Sequence, residues 1–119
     1  MLAEHYNITS SIFMLFALFH DSRRANEGID PMHGKRGARY ARSLQESHGL
    51  LNGLSNSDFA LFEYACSSHT NIDRENPLVN NIIANICWDA DRLDIGRVGF
   101  IVDPSYLSTD HAKELAVRL

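Results

Sequence analysis

The sequence predicts an all-α fold, a helical bundle of four to five helices in a single domain of 119 residues. Apolar residues recur at helical spacing in four segments, and only Val98 to Val102 could form a short strand or an extended tail. The segments are separated by glycine and proline between Gly28 and Pro31, and by a polar loop from Asn71 to Pro77.

The first predicted helix starts at Ser11, where Thr9 or Ser10 can cap it, and runs toward Asp21. Eight consecutive apolar residues, Ile12 to Phe19, cover every face of this helix. A helix that is apolar all round is typical of a buried position, so we expect this one at the centre of the fold.

The second predicted helix covers His33 to about Leu51. One face carries only tiny side chains, which allow another helix to approach closely: Gly34, Gly37, Ala38 and Ala41. A different face carries basic residues, which are either solvated or directed at an anion: Lys35, Arg39 and Arg42.

Two further helices are predicted in the second half of the chain. Residues 55–58 resemble a capping box that opens a helix reaching about His69, and another helix spans roughly Val79 to Asp94. Their inward stripes at helical spacing are Phe59, Phe62, Cys66 and His69 on the first, and Ala84, Cys87, Trp88 and Asp91 on the second. Asp110 can cap a last short helix.

Composition excludes several classes of protein. A formal charge of −4 argues against binding a nucleic-acid polymer or an anionic membrane surface. The longest apolar run, Ile12 to Phe19, has eight residues and is too short for a membrane span. Cys66 and Cys87 are too few for a disulfide framework and are spaced unlike a zinc-finger pair, so we interpret them as packing residues in a cytoplasmic protein.

The His20-Asp21 pair closes an otherwise apolar helix, so both polar side chains are expected to be at least partly buried. A buried carboxylate without a partner costs several kcal/mol, and the negative end of the helix dipole disfavours Asp21 further. A divalent cation would remove both problems, and so would an arginine such as Arg23, Arg24 or Arg92.

Three residues on other predicted helices are further possible metal ligands beside His20 and Asp21, and a fourth, Asp89, is not. His33, His69 and Asp91 would complete the mixed nitrogen and oxygen ligand field that Mn, Fe, Co, Ni or Zn prefers. Taken singly, each histidine could equally be an ordinary core or surface residue. Asp89 is turned away from the inward stripe of its helix and is interpreted as part of a solvated face.

The His-Asp pair and the residues around the other candidate ligands resemble the HD-domain superfamily, in particular a group of small bacterial HD-like proteins. The resemblance covers nearly the whole chain in the family's order, and it is most specific where the His-Asp pair is followed some seventy residues later by an Asp-Ala-Asp-Arg-Leu-Asp string. The matching stretches are Leu15–Arg24, Asn26-Glu27, Asp30–Gly34, Gly37-Ala38, Ala65-Cys66, His69-Thr70, Cys87–Asp94 and Gly96–Gly99.

The resemblance implies a metal-dependent phosphohydrolase that acts on a nucleotide or a related small phosphoester. It implies that His20, Asp21 and Asp91 hold a divalent transition metal, and that His33 and His69 add a second ion in binuclear members. Two residues just past the His-Asp pair, Arg24 and Glu27, are candidates for phosphate contact and general acid–base catalysis.

One departure from the family leaves two alternatives open. The family's first histidine lies on a helix upstream of the His-Asp pair, but only 19 residues precede His20, with His5 as the sole candidate. We therefore expect the chain to be truncated at its N-terminus relative to the family. A regulatory or interaction module that has lost catalysis, and that forms a homodimer through an uncovered apolar face, is the first alternative. An HD-type di-iron oxygenase, which requires both His33 and His69, is the second.

Overall fold

The described part of the chain is helical, as predicted. A computed structural model describes residues 2–8, 10–22, 32–49, 51–94, 105 and 107–118, and no strand occurs among them. The segment Val98–Val102 lies outside these residues, so its conformation stays a prediction. The described α-helices are α1 (Leu2–His5), α2 (Ser11–Phe19), α3 (His33–His48), α4 (Asn56–Ser68), α5 (Ile82–Asp94) and α6 (Asp110–Arg118), with a 3-10 turn at Pro77–Asn80.

The described residues contain six α-helices, more than the four to five predicted, because the four-residue α1 has no apolar periodicity that would predict it. Within these ranges, no helix combines the length and the apolar character needed to cross a membrane.

The helices form two compact units. One comprises Ser11–Val79, where α3 packs against α4 and α2, and α2 also packs against α4. The other comprises Met1–Ser10 and Asn80–Leu119, where α1, α5 and α6 pack against one another.

Helix α2 buries only one face. Ile12, Leu15 and Phe16 are buried, but Met14 and Leu18 are 62% and 61% exposed. The prediction that this helix is buried on every side is therefore wrong. Eight consecutive apolar residues supply more apolar surface than one helix face can bury against α3 and α4.

Helix α3 follows its predicted small-residue face. The side of α3 that packs against its neighbours is buried and consists of Gly34, Gly37, Ala38 and Ala41 together with His33. The helix ends at His48, three residues earlier than predicted, because Gly49 adopts a left-handed conformation with φ 64°. In that conformation the Gly49 N–H donates to the Gln45 carbonyl at 2.9 Å, which terminates the helix.

Helix α4 begins at its predicted cap, where Ser55 Oγ accepts a hydrogen bond from the Asp58 N–H at 3.1 Å. All four residues of its predicted stripe are buried. Arg42 of α3 donates to the Glu63 carboxylate and lies 4.8 Å from the centre of the Phe59 ring. The hydrogen bond and the charge of Glu63 raise the pKa of Arg42, so this member of the basic face is committed to an ion pair.

Helix α5 begins at Ile82, later than predicted, because Pro77–Asn80 forms the 3-10 turn instead. The side-chain oxygen of Asn81 accepts from the Ile83 N–H at 2.9 Å and so caps the helix. The predicted inward stripe is confirmed for Ala84, Cys87 and Trp88, each at most 3% exposed.

Asp89 contradicts its predicted place on a solvated face, because it is 0% exposed. Its two carboxylate oxygens accept from the Ser108 N–H at 2.7 Å and from the Thr109 N–H at 2.6 Å. The cap of α6 also differs from the prediction, since Thr109 Oγ1, not Asp110, accepts from the Ala112 N–H at 3.3 Å. Asp89 therefore binds the residues that lead into α6.

Candidate metal centre

Three helix ends in the Ser11–Val79 unit bring Asp21, His33 and His69 together. Asp21 lies two residues beyond the end of α2, His33 is the first residue of α3, and His69 is the C-terminal cap of α4. Each residue directs one ligand atom at the others, all within 4.8 Å of one another. We call these three residues the Asp-His-His cluster.

The distances within the Asp-His-His cluster are short. His33 Nε2 lies 2.8 Å from His69 Nε2 and 2.9 Å from Asp21 Oδ1. The third side, from His69 Nε2 to Asp21 Oδ1, is 3.7 Å. Two imidazole nitrogens and one carboxylate oxygen thus face a common point.

The tautomer of His69 is determined by its second ring nitrogen. Nδ1 lies 2.7 Å from the Cys66 carbonyl oxygen, and because a carbonyl can only accept, Nδ1 carries the hydrogen. In a neutral ring Nε2 is then an acceptor directed into the cluster. A backbone carbonyl bonded to the far nitrogen is the usual way in which a metal-binding histidine is oriented.

His20 is held in the same way beside the cluster. Its Nδ1 donates to the Phe16 carbonyl at 2.8 Å, and its ring stacks on the Phe16 ring at 4.5 Å between centroids. Its Nε2 lies 3.3 Å from Asp21 Oδ2. The two oxygens of Asp21 therefore face different histidines, Oδ1 toward His33 and His69, and Oδ2 toward His20.

The surroundings of the Asp-His-His cluster favour a cation. The side chains of His33 and His69 are 5% and 3% exposed, whereas that of Asp21 is 53% exposed. The C-terminal ends of α2 and α4 contribute partial negative charge, and among the described helices of this unit the N-terminal end of α3 opposes them. The imidazoles are thus shielded from water while the carboxylate leaves one side accessible.

The residues present fit a divalent transition metal. Ligand bonds of about 2.0–2.2 Å place two ligand atoms about 3 Å apart at a right angle and about 3.4 Å apart at a tetrahedral angle. The observed separations of 2.8, 2.9 and 3.7 Å lie close to those values. Without a metal, a hydrogen on His33 Nε2 can be donated to His69 Nε2 or to Asp21 Oδ1. A cation would replace that hydrogen and would bind all three atoms.

The other predicted site residues fall outside this cluster. Asp91 lies half-buried on α5 in the other unit, and its role as a ligand stays a prediction. Arg24 and Glu27 lie outside the described residues, so their roles also stay predictions. Lys35 and Arg39 are exposed on the first turns of α3.

The two cysteines are not joined in a disulfide and are buried, at 0% exposure for Cys66 and 3% for Cys87, as expected of packing residues. Burial raises the pKa of Cys87 to about 12, so its thiol is protonated at neutral pH.

Sequence reasoning missed the two backbone carbonyls that orient the histidines. Each histidine lies just past the last turn of a helix, three or four residues after the carbonyl that it binds. The Phe16 and Cys66 carbonyls also accept from the backbone N–H of the same histidines, at 3.0 and 3.5 Å, and each oxygen has a second lone pair for the ring. A histidine at that spacing past a helix end is the signal that could have identified them.

No protein-family model, curated protein or solved structure matches the chain.

Proposed function

We propose that this protein is a metal-dependent phosphohydrolase acting on a small, nucleotide-like phosphoester. The observation that carries the proposal is the convergence of His33 Nε2, His69 Nε2 and Asp21 Oδ1 at separations of 2.8–3.7 Å. Two nitrogens and one oxygen form the ligand set that Mn, Fe, Co, Ni and Zn share. The resemblance to the HD-domain superfamily supplies the reaction.

Asp21, His33 and His69 would hold one ion, and His20 on the other oxygen of Asp21 allows a second. Asp91 enters the proposal as a ligand from its place on the predicted inward stripe and from the resemblance. A divalent metal bound there would lower the pKa of a water ligand to near neutrality and polarise a phosphoryl oxygen.

The chain's own residues would prepare the site for that chemistry. The carbonyls of Phe16 and Cys66 keep the Nε2 atoms of His20 and His69 available as ligands. The exposed side of Asp21 leaves room for the substrate, while the buried imidazoles cannot be reached by bulk water. Arg24 and Glu27, just past the His-Asp pair in the sequence, are the candidates for phosphate contact and for general acid–base catalysis.

The basic residues Lys35 and Arg39 would attract the substrate. Both are exposed, and they lie two and six residues after His33 on the same helix. Arg42 is not available for this role because it is paired with Glu63.

The test is phosphate release from a panel of nucleotides and simple phosphoesters with Mn, Co or Ni. His69→Ala should abolish release, because it removes one nitrogen ligand. His48→Ala is the matched control, since His48 is an exposed histidine on α3, and it should retain full activity. No turnover of any substrate by wild-type protein with full metal occupancy would contradict the proposal.

The di-iron oxygenase is a second candidate, because it requires both His33 and His69, and both face Asp21. Iron-loaded protein with the absorption bands of an oxygen-bridged pair would favour it over hydrolysis.

The regulatory module is supported by the exposed Met14 and Leu18, which could form a homodimer contact. Full metal occupancy without turnover in the panel, together with a dimer in solution, would favour this candidate. A cytoplasmic location, consistent with two cysteines that form no disulfide, stays part of the proposal.

A further inference from the structure

The approach of α3 to α4 at the Asp-His-His cluster depends on the absence of a side chain at Gly34. A Cβ atom at this position would lie 2.7 Å from His69 Nδ1 and 2.8 Å from His69 Cε1. It would come closer still to the Cys66 carbonyl oxygen, which accepts the hydrogen of His69 Nδ1. The carbonyl belongs to the backbone of α4 and cannot rotate away, so one of the two helices would have to move.

The approach of α3 to the end of α2 likewise depends on the absence of a side chain at Gly37. A Cβ atom at Gly37 would overlap the Phe19 carbonyl oxygen and lie 3.2 Å from the carbonyl carbon. The His20 carbonyl oxygen would be 3.6 Å away. Phe19 and His20 lead directly into Asp21, so a shift of this backbone moves the carboxylate ligand.

We infer that Gly34 and Gly37 are the positioning residues of the metal centre. One helical turn apart on α3, they set the distance from His33 to His69 on one side and to Asp21 on the other. The inference rests on the proposed metal-dependent function and adds the residues that determine its ligand spacing.

The size of the displacement supports this role over simple packing. A Cβ atom at Gly34 would lie 2.7 Å from His69 Nδ1, and an ordinary contact between these atoms begins at 3.4 Å. Relieving the overlap therefore changes this distance by 0.7 Å. Metal sites tolerate ligand distances only within about 0.2 Å of their usual values. An added methyl group would therefore change the ligand spacing by more than this tolerance.

The test is a cobalt titration of the full chain that records both affinity and the visible absorption of bound Co²⁺. Gly34→Ala and Gly37→Ala should each weaken binding about 10–100-fold, the loss typical of residues that orient ligands, and should alter the cobalt spectrum. Gly53→Ala is the matched control, because a Cβ there meets nothing within 4 Å, and it should change neither quantity.

Ala41→Gly separates stability from ligand spacing. Ala41 is fully buried on the same face two turns further along α3, so its loss should lower the unfolding midpoint and leave cobalt affinity and spectrum unchanged. If a glycine variant does not fold, the titration is repeated with trimethylamine N-oxide, which favours the folded state.

Two outcomes would overturn the inference, and they are distinguishable. Wild-type affinity and spectrum in both Gly34→Ala and Gly37→Ala would overturn it alone and leave the proposed function standing. Absence of cobalt binding by the wild-type chain would overturn the proposed function as well. An affinity loss in Ala41→Gly equal to that in Gly34→Ala would show that the glycines act only through stability, which also contradicts positioning.

Discussion

Replacing Asp89 with alanine should destabilise the protein strongly, although the sequence predicts a solvated carboxylate there. The side chain is 0% exposed and accepts hydrogen bonds from the Ser108 and Thr109 N–H groups at 2.7 and 2.6 Å. Both bonds are charge-assisted, and each contributes about 1.5–3 kcal/mol net. In the alanine variant the buried Thr109 N–H loses the carboxylate oxygen to which it donates. Ser108 is exposed, so its N–H can donate to water instead.

The expected loss is about 3 kcal/mol, near the lower end of the two-bond sum, because the substitution also removes the cost of burying a charge. An unfolding entropy of about 2.1 cal/mol/K per residue gives about 0.25 kcal/mol/K for a chain of this length. The melting temperature should therefore fall by about 12 °C. Asp89→Asn should lose nearly as much, since its amide NH₂ faces a second donor.

Calorimetric melting of wild type, Asp89→Ala and Asp110→Ala provides the assay. Asp110 is the control because it is an exposed carboxylate in the first turn of α6, where its effect through the helix dipole is about 0.3–1 kcal/mol. A shift for Asp89→Ala no larger than that for Asp110→Ala would refute the reasoning, since the two buried hydrogen bonds would then contribute nothing measurable.

Three further predictions concern tautomers, thiols and the exposed face of α2. Long-range ¹H–¹⁵N spectra of the metal-free protein should show His20 and His69 with hydrogen on Nδ1, and a neutral ring with its hydrogen on Nε2 alone would contradict the carbonyl bond of that histidine. Cys87, with its pKa raised to about 12, should resist iodoacetamide at pH 8 in the folded protein and react after unfolding, as mass spectrometry will detect. Met14→Lys and Leu18→Lys should each change stability by less than about 0.5 kcal/mol in chemical denaturation, and a larger loss would mean that this face is covered in solution.

Local signals predicted most of the helices. Ser55 and Gly49 determine where α4 begins and α3 ends through hydrogen bonds within a few residues, although Gly49 ended α3 earlier than the apolar pattern indicated. The buried stripes of α4 and α5 follow from 3.6-residue periodicity. The short α1 has no such periodicity, so nothing local could predict it.

Long-range contacts explain the errors. Asp89 is turned away from the apolar stripe of α5, and a helix-wheel argument therefore assigns it to solvent. The Ser108 and Thr109 amides reach it from about twenty residues further along the chain, and no pattern near Asp89 indicates this. For α2, composition indicates apolar surface but not how many neighbours are available to cover it.

The sequence indicated which residues form the candidate site, but not which of them face one another. The sequence identified Asp21, His33 and His69 by residue type and position at helix ends. It could not show that Asp21 faces two histidines through one oxygen and His20 through the other. That arrangement follows the close packing of α3 against the backbone of Cys66 at Gly34 and against that of Phe19 at Gly37, which is a property of the assembled helices.

The central claim is that one divalent ion binds among Asp21, His33 and His69, and anomalous diffraction from crystals soaked in Co²⁺ or Zn²⁺ tests it most directly. We predict an anomalous peak within about 2.0–2.2 Å of Asp21 Oδ1 and of the Nε2 atoms of His33 and His69. The same peak should be absent from His69→Ala crystals and present in those of His48→Ala. A fully soaked wild-type crystal with no peak at these three atoms would contradict the account.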